Sequence, residues 1–171
     1  KDGPVVFEVP PRTRGHFFDI GMRAYVDAGD VGPDKGEGGK FLMVARDYDG
    51  EIPEGYLEVR SVHSDLLNYV GRSFPGTEGS VEAAVDHAKN FRLYPLSEAE
   101  APPEQKFVLI GDRDFSQDWP RDAEAFEWLG EVFTMDRAPA AGAAHMGNMR
   151  RLGLQSGKVF TPDDRAKAIL E

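Results

Sequence analysis

The period of the hydrophobic pattern changes near Ser80, and this change limits what the 171-residue chain can fold into. Before residue 75, runs such as Val5–Val9 and Tyr56–Val62 alternate apolar and polar residues, which is typical of half-buried strands. After Ser80, apolar residues recur at the spacing that buries one stripe of a helix. The first such set is Val81, Ala84, Val85 and Ala88. The predicted fold class is α+β, with an antiparallel β-rich N-terminal half and helices packed in the C-terminal half.

The same change of pattern predicts the domain organisation. Residues 1–110 are expected to form a β-rich domain with one helix near 80–90, and Phe107–Ile110 is expected to be a short buried strand. Residues 111–171 are expected to be a helical segment, with helices to about residue 134 and over 141–152. Gly153 suits the C-cap of the latter helix because glycine readily adopts positive φ.

An apolar stripe runs along the predicted helices of the C-terminal third. Its members are Phe126, Leu129, Phe133, Met146, Met149 and Leu152. Because monomers rarely expose contiguous apolar patches beyond a few hundred Å², we expect this stripe to contact something beyond one copy of the chain. The alternative is that the stripe closes over the β-rich part of its own chain.

Composition excludes several classes of function. The chain has 40% hydrophobic residues but no apolar run near the roughly 20 residues that span a bilayer, so no membrane span is predicted. Thirty acidic against twenty basic residues give a net charge of -10, which opposes binding to nucleic acid. The absence of cysteine excludes disulfides and thiolate chemistry, and it suits cytoplasm and periplasm alike.

A glycine-dense loop containing Gly32, Gly36, Gly38 and Gly39 precedes the apolar run that starts at Phe41. Phosphate-binding loops are rich in glycine, but the spacing here fits neither the P-loop nor the dinucleotide fingerprint, and the loop leads into a strand. The sequence therefore predicts an ordered connection between strands that holds no phosphate or nucleotide.

The histidines and serines of the sequence form no recognisable catalytic pattern. His16, His63, His87 and His145 lie far apart in the sequence, with no pair at helical i, i+4 spacing. No metal site and no cofactor are predicted, although two histidines and a carboxylate that converge in space would be an alternative. The serines lack the strained strand-to-helix turn of hydrolases.

One segment gathers carboxylates, an arginine and aromatic rings between residues 111 and 119. Asp112, Asp114 and Asp118 are the candidate catalytic residues for acid–base work. The candidate ligand-binding residues are Arg113, Trp119 and His63. The alternative is a solvated loop before a helix, because acidic residues near a helix N-terminus are favoured by the dipole alone.

A series of short motifs occurs in a fixed order along nearly the whole chain. They are Gly3–Pro10, Asp30–Gly32, Asp34–Leu42, Ile52–Tyr56, Leu93–Leu96, Leu152–Gly157 and Phe160. In these motifs the chain resembles a large bacterial family, domain of unknown function twelve-fifty-four. The resemblance implies a signal peptide, hence a periplasmic or secreted location, and a following β-sandwich domain, so that this chain would be a fragment. One departure is Ala45-Arg46-Asp47, where the family leads us to expect proline and glycine.

The resemblance supplies no mechanism, so two functions remain open. The first is an extracytoplasmic binding or scaffold module with no identifiable catalytic motif. Its partners would be the companion C-terminal β-sandwich domain or a second copy, with a polar small molecule or glycan as ligand. The second is a hydrolase that acts on a polar substrate such as a glycan through the three carboxylates. Whether the chain is an enzyme is left open, with binding favoured.

Overall fold

The computed structural model describes residues 3–64, 66–74, 79–108, 110–111, 118, 120–135, 143–155 and 158–170. Within these residues the strands are β1 (Val5–Val9), β2 (Thr13–Asp19), β3 (Ala24–Ala28), β4 (Gly39–Val44), β5 (Tyr56–Arg60), β6 (Leu67–Ser73) and β7 (Arg92–Pro95). The α-helices are α1 (Val81–Ala88), α2 (Ala123–Met135), α3 (Ala143–Arg151) and α4 (Asp164–Leu170). The fold class is α+β, as predicted.

The chain divides into two compact units. The first unit comprises Lys1–Val62 and Leu67–Val108, and the second comprises His63–Leu66 and Leu109–Glu171. All seven described strands and α1 belong to the first unit, whereas α2, α3 and α4 belong to the second.

Two sheets build the first unit. The first sheet has the strand order β5-β4-β1-β7, and the second sheet has the order β3-β2-β6. Every pairing is antiparallel except that of β4 with β5, which is parallel. The expectation of an antiparallel β assembly is therefore right for all but this pair. A bulge lies between Phe17 and Phe18, where β2 pairs with β3.

An aromatic core joins the two sheets. Phe17 of β2 and Phe41 of β4 are fully buried, and their ring centroids are 5.0 Å apart. Phe7 of β1 meets Phe17 edge-on at 5.8 Å and Tyr69 of β6 at 4.7 Å. These contacts fix which face of the second sheet points inward, because side chains alternate along a strand.

A second apolar cluster covers the opposite face of the first sheet. Its buried members are Val6, Leu42, Val44 and Tyr94. The first sheet is thus packed on both faces, which explains why β4 reads as a continuous apolar run from Phe41 to Val44. In the described residues no comparable cluster covers the outer face of the second sheet.

The glycine-dense loop is an ordered connection between β3 and β4, as predicted. The buried Asp34 carboxylate accepts a hydrogen bond from the Gly29 N–H at 2.8 Å. The Arg12 N–H donates to the Gly36 carbonyl oxygen at 2.9 Å. Gly38 has φ of 75°, and a Cβ there would lie 2.5 Å from the Val9 carbonyl oxygen, so this position requires glycine.

Two local predictions are corrected. Phe107, Val108 and Ile110 belong to no strand and are at least half exposed, so they do not form the expected buried strand.

Helix α1 begins after Ser80, whose hydroxyl accepts from the Ala83 N–H as an N-cap should. Its apolar stripe is not buried, however, because Val81 is 74% exposed. The helix is instead attached through polar contacts.

The second unit contains the three later helices. Leu154 is fully buried, and Gly153, two residues after the end of α3, has the φ of 90° that is expected where a helix ends at glycine. Four members of the apolar stripe, Phe126, Leu129, Met149 and Leu152, are half-buried. The side chains of Phe133 and Met146 lie outside the described residues, and a partner for the stripe stays a prediction. Among the described helices, none combines the length and the apolar character needed to cross a bilayer.

Candidate ligand site on the second sheet

The site residues that the sequence predicted are only partly within the described residues. Asp112, Arg113, Asp114 and Trp119 lie outside them. Asp118 is exposed, and His63 is half-buried shortly after β5. Their catalytic and ligand-binding roles stay predictions. In the described part of the chain, no three histidine, aspartate or glutamate side chains come together as a group that could hold a metal ion.

The outer face of the second sheet carries a different set of polar side chains. In β2, Thr13, Phe17 and Asp19 are buried, so the alternate residues Arg14, His16 and Phe18 face outward. The register of β2 with β6 places Arg14 opposite Arg72, His16 opposite Val70 and Phe18 opposite Asn68. The outer face is therefore a polar and partly aromatic surface on a rigid sheet.

One end of this face is concave. A cavity of about 590 Å³ opens there between β2, the end of β6 and the loop that follows β3. It is lined by Arg14, Gly15, His16, Ala28, Asp30, Val31, Val70 and Arg72. Its size falls within the range of small-molecule sites.

The charges of the cavity are unequal. Arg14 donates to the Asp30 carboxylate at 2.9 Å, and the Arg14 guanidinium lies 5.6 Å from the centre of the Phe74 ring. Both members of this ion pair are about two-thirds exposed. Within the part of the chain that the structure describes, Arg72 has no acidic partner. The cavity therefore carries a surplus of positive charge.

The inner face beneath the cavity is held by an aromatic ring. The Tyr69 side chain lies against Gly15 and Gly71, where a Cβ atom would collide with it. Burial, together with the negative charge of Asp34, raises the pKa of Tyr69 to about 12. Because the ring packs against Phe7, Phe17 and Phe91, the strands that present the two arginines have a fixed spacing.

A second cavity of about 580 Å³ lies beside the glycine-dense loop, and the side chains of Glu8, Lys40 and His87 in its lining already have partners. Glu8 accepts a short hydrogen bond from the Tyr94 hydroxyl and lies 3.8 Å from the Lys40 ammonium. His87 hydrogen-bonds Ser73 at 2.7 Å and the Pro11 carbonyl oxygen at 2.8 Å. Because these groups already have partners, the outer face of the second sheet is the stronger candidate site.

Sequence reasoning missed Arg14 and Arg72 and treated His16 only as one of four scattered histidines. The alternation in β2 was a usable signal for an outward-facing set. The pairing of β2 with β6 was not predictable from local pattern, since it joins segments that are distant in sequence.

The comparisons with known proteins identify the family. The sequence model described as "Protein of unknown function (DUF1254)" matches residues 1–95. The chain belongs to this family. The matched part contains all seven described strands and α1, and so includes the candidate site. That the chain is a fragment stays a prediction.

A likeness to a solved structure covers more of the chain than the family model does. The crystal structure of the VPA0106 protein from Vibrio parahaemolyticus is similar, with a TM-score of 0.59 and 22% sequence identity over 99% of this chain. This likeness shows a shared fold. The chain spans 42% of the length of that protein. The comparison with curated proteins gives no match.

Proposed function

We propose that this chain is a binding module of an extracytoplasmic protein, with a polar small molecule or glycan as its ligand on the outer face of the second sheet. The observation that carries the proposal is the cavity between Arg14, His16, Val70 and Arg72 on a sheet whose other face is packed. A rigid sheet positions ligand-binding side chains with little entropic cost.

The chemistry of the described residues supports binding over catalysis. The cavity has one histidine and one carboxylate, and that carboxylate, Asp30, already pairs with Arg14. A hydrolase of the predicted kind would need two carboxylates on either side of a scissile bond. The extracytoplasmic location is supported by the family resemblance and is compatible with the absence of cysteine.

The proposed role includes a partner for the second unit. The half-buried stripe of Phe126, Leu129, Met149 and Leu152 is the surface we assign to a companion domain or to a second copy. Sedimentation of the isolated chain at micromolar concentration tests this assignment. A dimer that dissociates in a Leu129→Asp variant is expected for self-association, whereas a strict monomer contradicts self-association.

A ligand screen by NMR tests the site. We expect polar ligands, including neutral and charged oligosaccharides, to shift the amide signals of Arg14, His16 and Val70 in a saturable manner. The variant His16→Ala should weaken binding, and Lys167→Ala, which removes an exposed lysine of the second unit, should leave the affinity unchanged. Shifts that map to Glu8, Lys40 and Asn90 instead would place the ligand in the other cavity and contradict the proposal.

A further inference from the structure

Two arginines occupy directly opposite positions on neighbouring strands of the second sheet. Arg14 of β2 and Arg72 of β6 are Cα partners, and both side chains lie on the outer face. Like charges in this arrangement destabilise an antiparallel pair. The pair stands out further because the chain as a whole has a net charge of -10.

The neighbouring acid compensates only one of the two arginines. Asp30 binds Arg14 at 2.9 Å, which leaves Arg72 uncompensated among the described residues. Asp27 lies opposite His16 in the register of β2 with β3, but it does not line the cavity. The two arginines and Asp30 together therefore give this end of the cavity a net charge of about one positive unit.

We propose that the ligand of this cavity carries an oxyanion, either a carboxylate or a phosphate group, which binds between Arg14 and Arg72. This inference rests on the proposed function and names its ligand class. A guanidinium presents paired N–H donors that match the oxygens of either group, and such charge-assisted hydrogen bonds are among the strongest in proteins. Two adjacent guanidiniums bind one anion and lose their mutual repulsion.

The other residues that line the cavity indicate the chemical character of the rest of the ligand. Val70 is 50% exposed and Val31 is 85% exposed, and both line the cavity together with the small residues Gly15 and Ala28. Apolar contacts of this kind suit the ring faces of a small polar molecule. Asp30 competes with the ligand for Arg14, so the acid limits the affinity for anions.

Three related sugars test whether the charged group of the ligand, rather than its ring, determines the affinity. Glucose, glucuronate and glucose 6-phosphate share a hexose ring and differ in having no charge, a carboxylate or a phosphate. The readout is the NMR signal of the arginine Nε–H groups in the whole chain. We expect one or both charged sugars to shift the Arg14 and Arg72 signals saturably, with an affinity at least about tenfold above that of glucose. Which of the two binds identifies the oxyanion.

Variants of single residues test the arginine pair. Arg72→Ala should weaken binding of the charged sugar by about tenfold or more, and Arg72→Lys should weaken it less because the charge remains. Asp30→Asn should strengthen binding by roughly twofold or more, since Arg14 loses its competing partner. The control Arg46→Ala removes an exposed arginine that pairs with Asp47 and should change the affinity less than about twofold. Raising the salt concentration should weaken binding of the charged sugars alone.

The outcomes distinguish this inference from the proposed function. Equal binding of glucose and both charged sugars at the outer face, or an affinity that Arg72→Ala leaves unchanged, overturns the oxyanion inference and leaves the binding module intact. If none of the sugars shifts an outer-face signal up to about 20 mM, the oxyanion inference fails. The proposed function then fails as well if the wider ligand screen also gives no shift there.

Discussion

The carboxylate of Asp19 accepts a hydrogen bond from the Arg23 Nε at 2.7 Å, and Asp19 is fully buried at the end of β2. The same carboxylate accepts from the Tyr25 hydroxyl at 2.7 Å and from the Arg23 backbone N–H at 3.1 Å. Burial by itself would raise the pKa of Asp19. The hydrogen bonds from Arg23 and Tyr25 and the charge of Arg23 outweigh burial and lower the pKa below its usual value. This group of contacts holds the turn between β2 and β3.

Loss of the Asp19 carboxylate should destabilise the chain. We expect Asp19→Ala to lower the free energy of unfolding by about 2–3 kcal/mol, because a buried charged acceptor of three hydrogen bonds is removed. The control Asp86→Ala removes the acid of an exposed pair with Lys89 and should cost less than about 1 kcal/mol. Urea unfolding followed by circular dichroism measures both. Equal effects of the two substitutions would contradict the importance of burial here.

The contribution of Asp19 should depend on pH in a defined direction. Its pKa in the folded state lies below the ordinary value of 3.8, so the unfolded chain takes up the proton first as the pH falls. The stabilisation is therefore fully present above about pH 5 and is lost as the pH falls through the folded-state pKa. The measurement is the difference in unfolding free energy between the native chain and Asp19→Asn. That difference should be constant from neutral pH to about pH 5 and should narrow below it.

The half-buried Tyr69 and the buried Tyr94 should respond in opposite ways to removal of the hydroxyl group. Among the described residues, the Tyr69 hydroxyl is buried with no hydrogen-bond partner, so Tyr69→Phe should be neutral or stabilise the fold by about 1 kcal/mol. The Tyr94 hydroxyl donates to Glu8, so Tyr94→Phe should destabilise by about 1–2 kcal/mol. Thermal unfolding of the two variants compares them. Similar losses for both would mean that the Tyr69 hydroxyl has a partner.

Substitution of Gly15 should disturb the sheet that carries the candidate site. A Cβ atom on Gly15 would collide with the Tyr69 hydroxyl and with the Val70 carbonyl oxygen, and the latter belongs to the backbone and cannot move freely. We expect Gly15→Ala to cost about 1–3 kcal/mol. The matched control is Gly39→Ala. Its Cβ would meet only the end of a side chain, Leu57 Cδ1, at 3.2 Å, so it should cost less than about 1 kcal/mol.

His87 should hold α1 in place. The Pro11 carbonyl accepts from Nε2, so in the neutral imidazole Nδ1 accepts from the Ser73 hydroxyl. Because α1 contains no buried residue, these two bonds are its main polar attachment. In His87→Ala, hydrogen exchange should speed up in α1 by roughly tenfold or more and change little in β1 and β4. Lys89→Ala, at the C-cap of the same helix, is the control. Unchanged exchange in α1 would show that other contacts attach it.

Local patterns along the chain predict most of the secondary structure. The change of hydrophobic period near Ser80 predicted strands followed by helices, and the Ser80 N-cap and the Gly153 C-cap lie where the residue types required them. These features depend on interactions between residues a few positions apart, which a local pattern records. The expected strand at Phe107–Ile110 failed because a short apolar run becomes a strand only when another strand pairs with it.

Two features come from the folding of the whole chain. They are the parallel pairing of β4 with β5 and the position of Arg14 opposite Arg72. Both depend on the register between segments that are distant in sequence. The aromatic core fixes the register of β2 with β6, because a shift of β6 by one residue would turn Tyr69 to the outside and Arg72 to the inside. The sequence fixes which residues alternate along each strand, whereas the packing of the two sheets determines which of them meet at the candidate site.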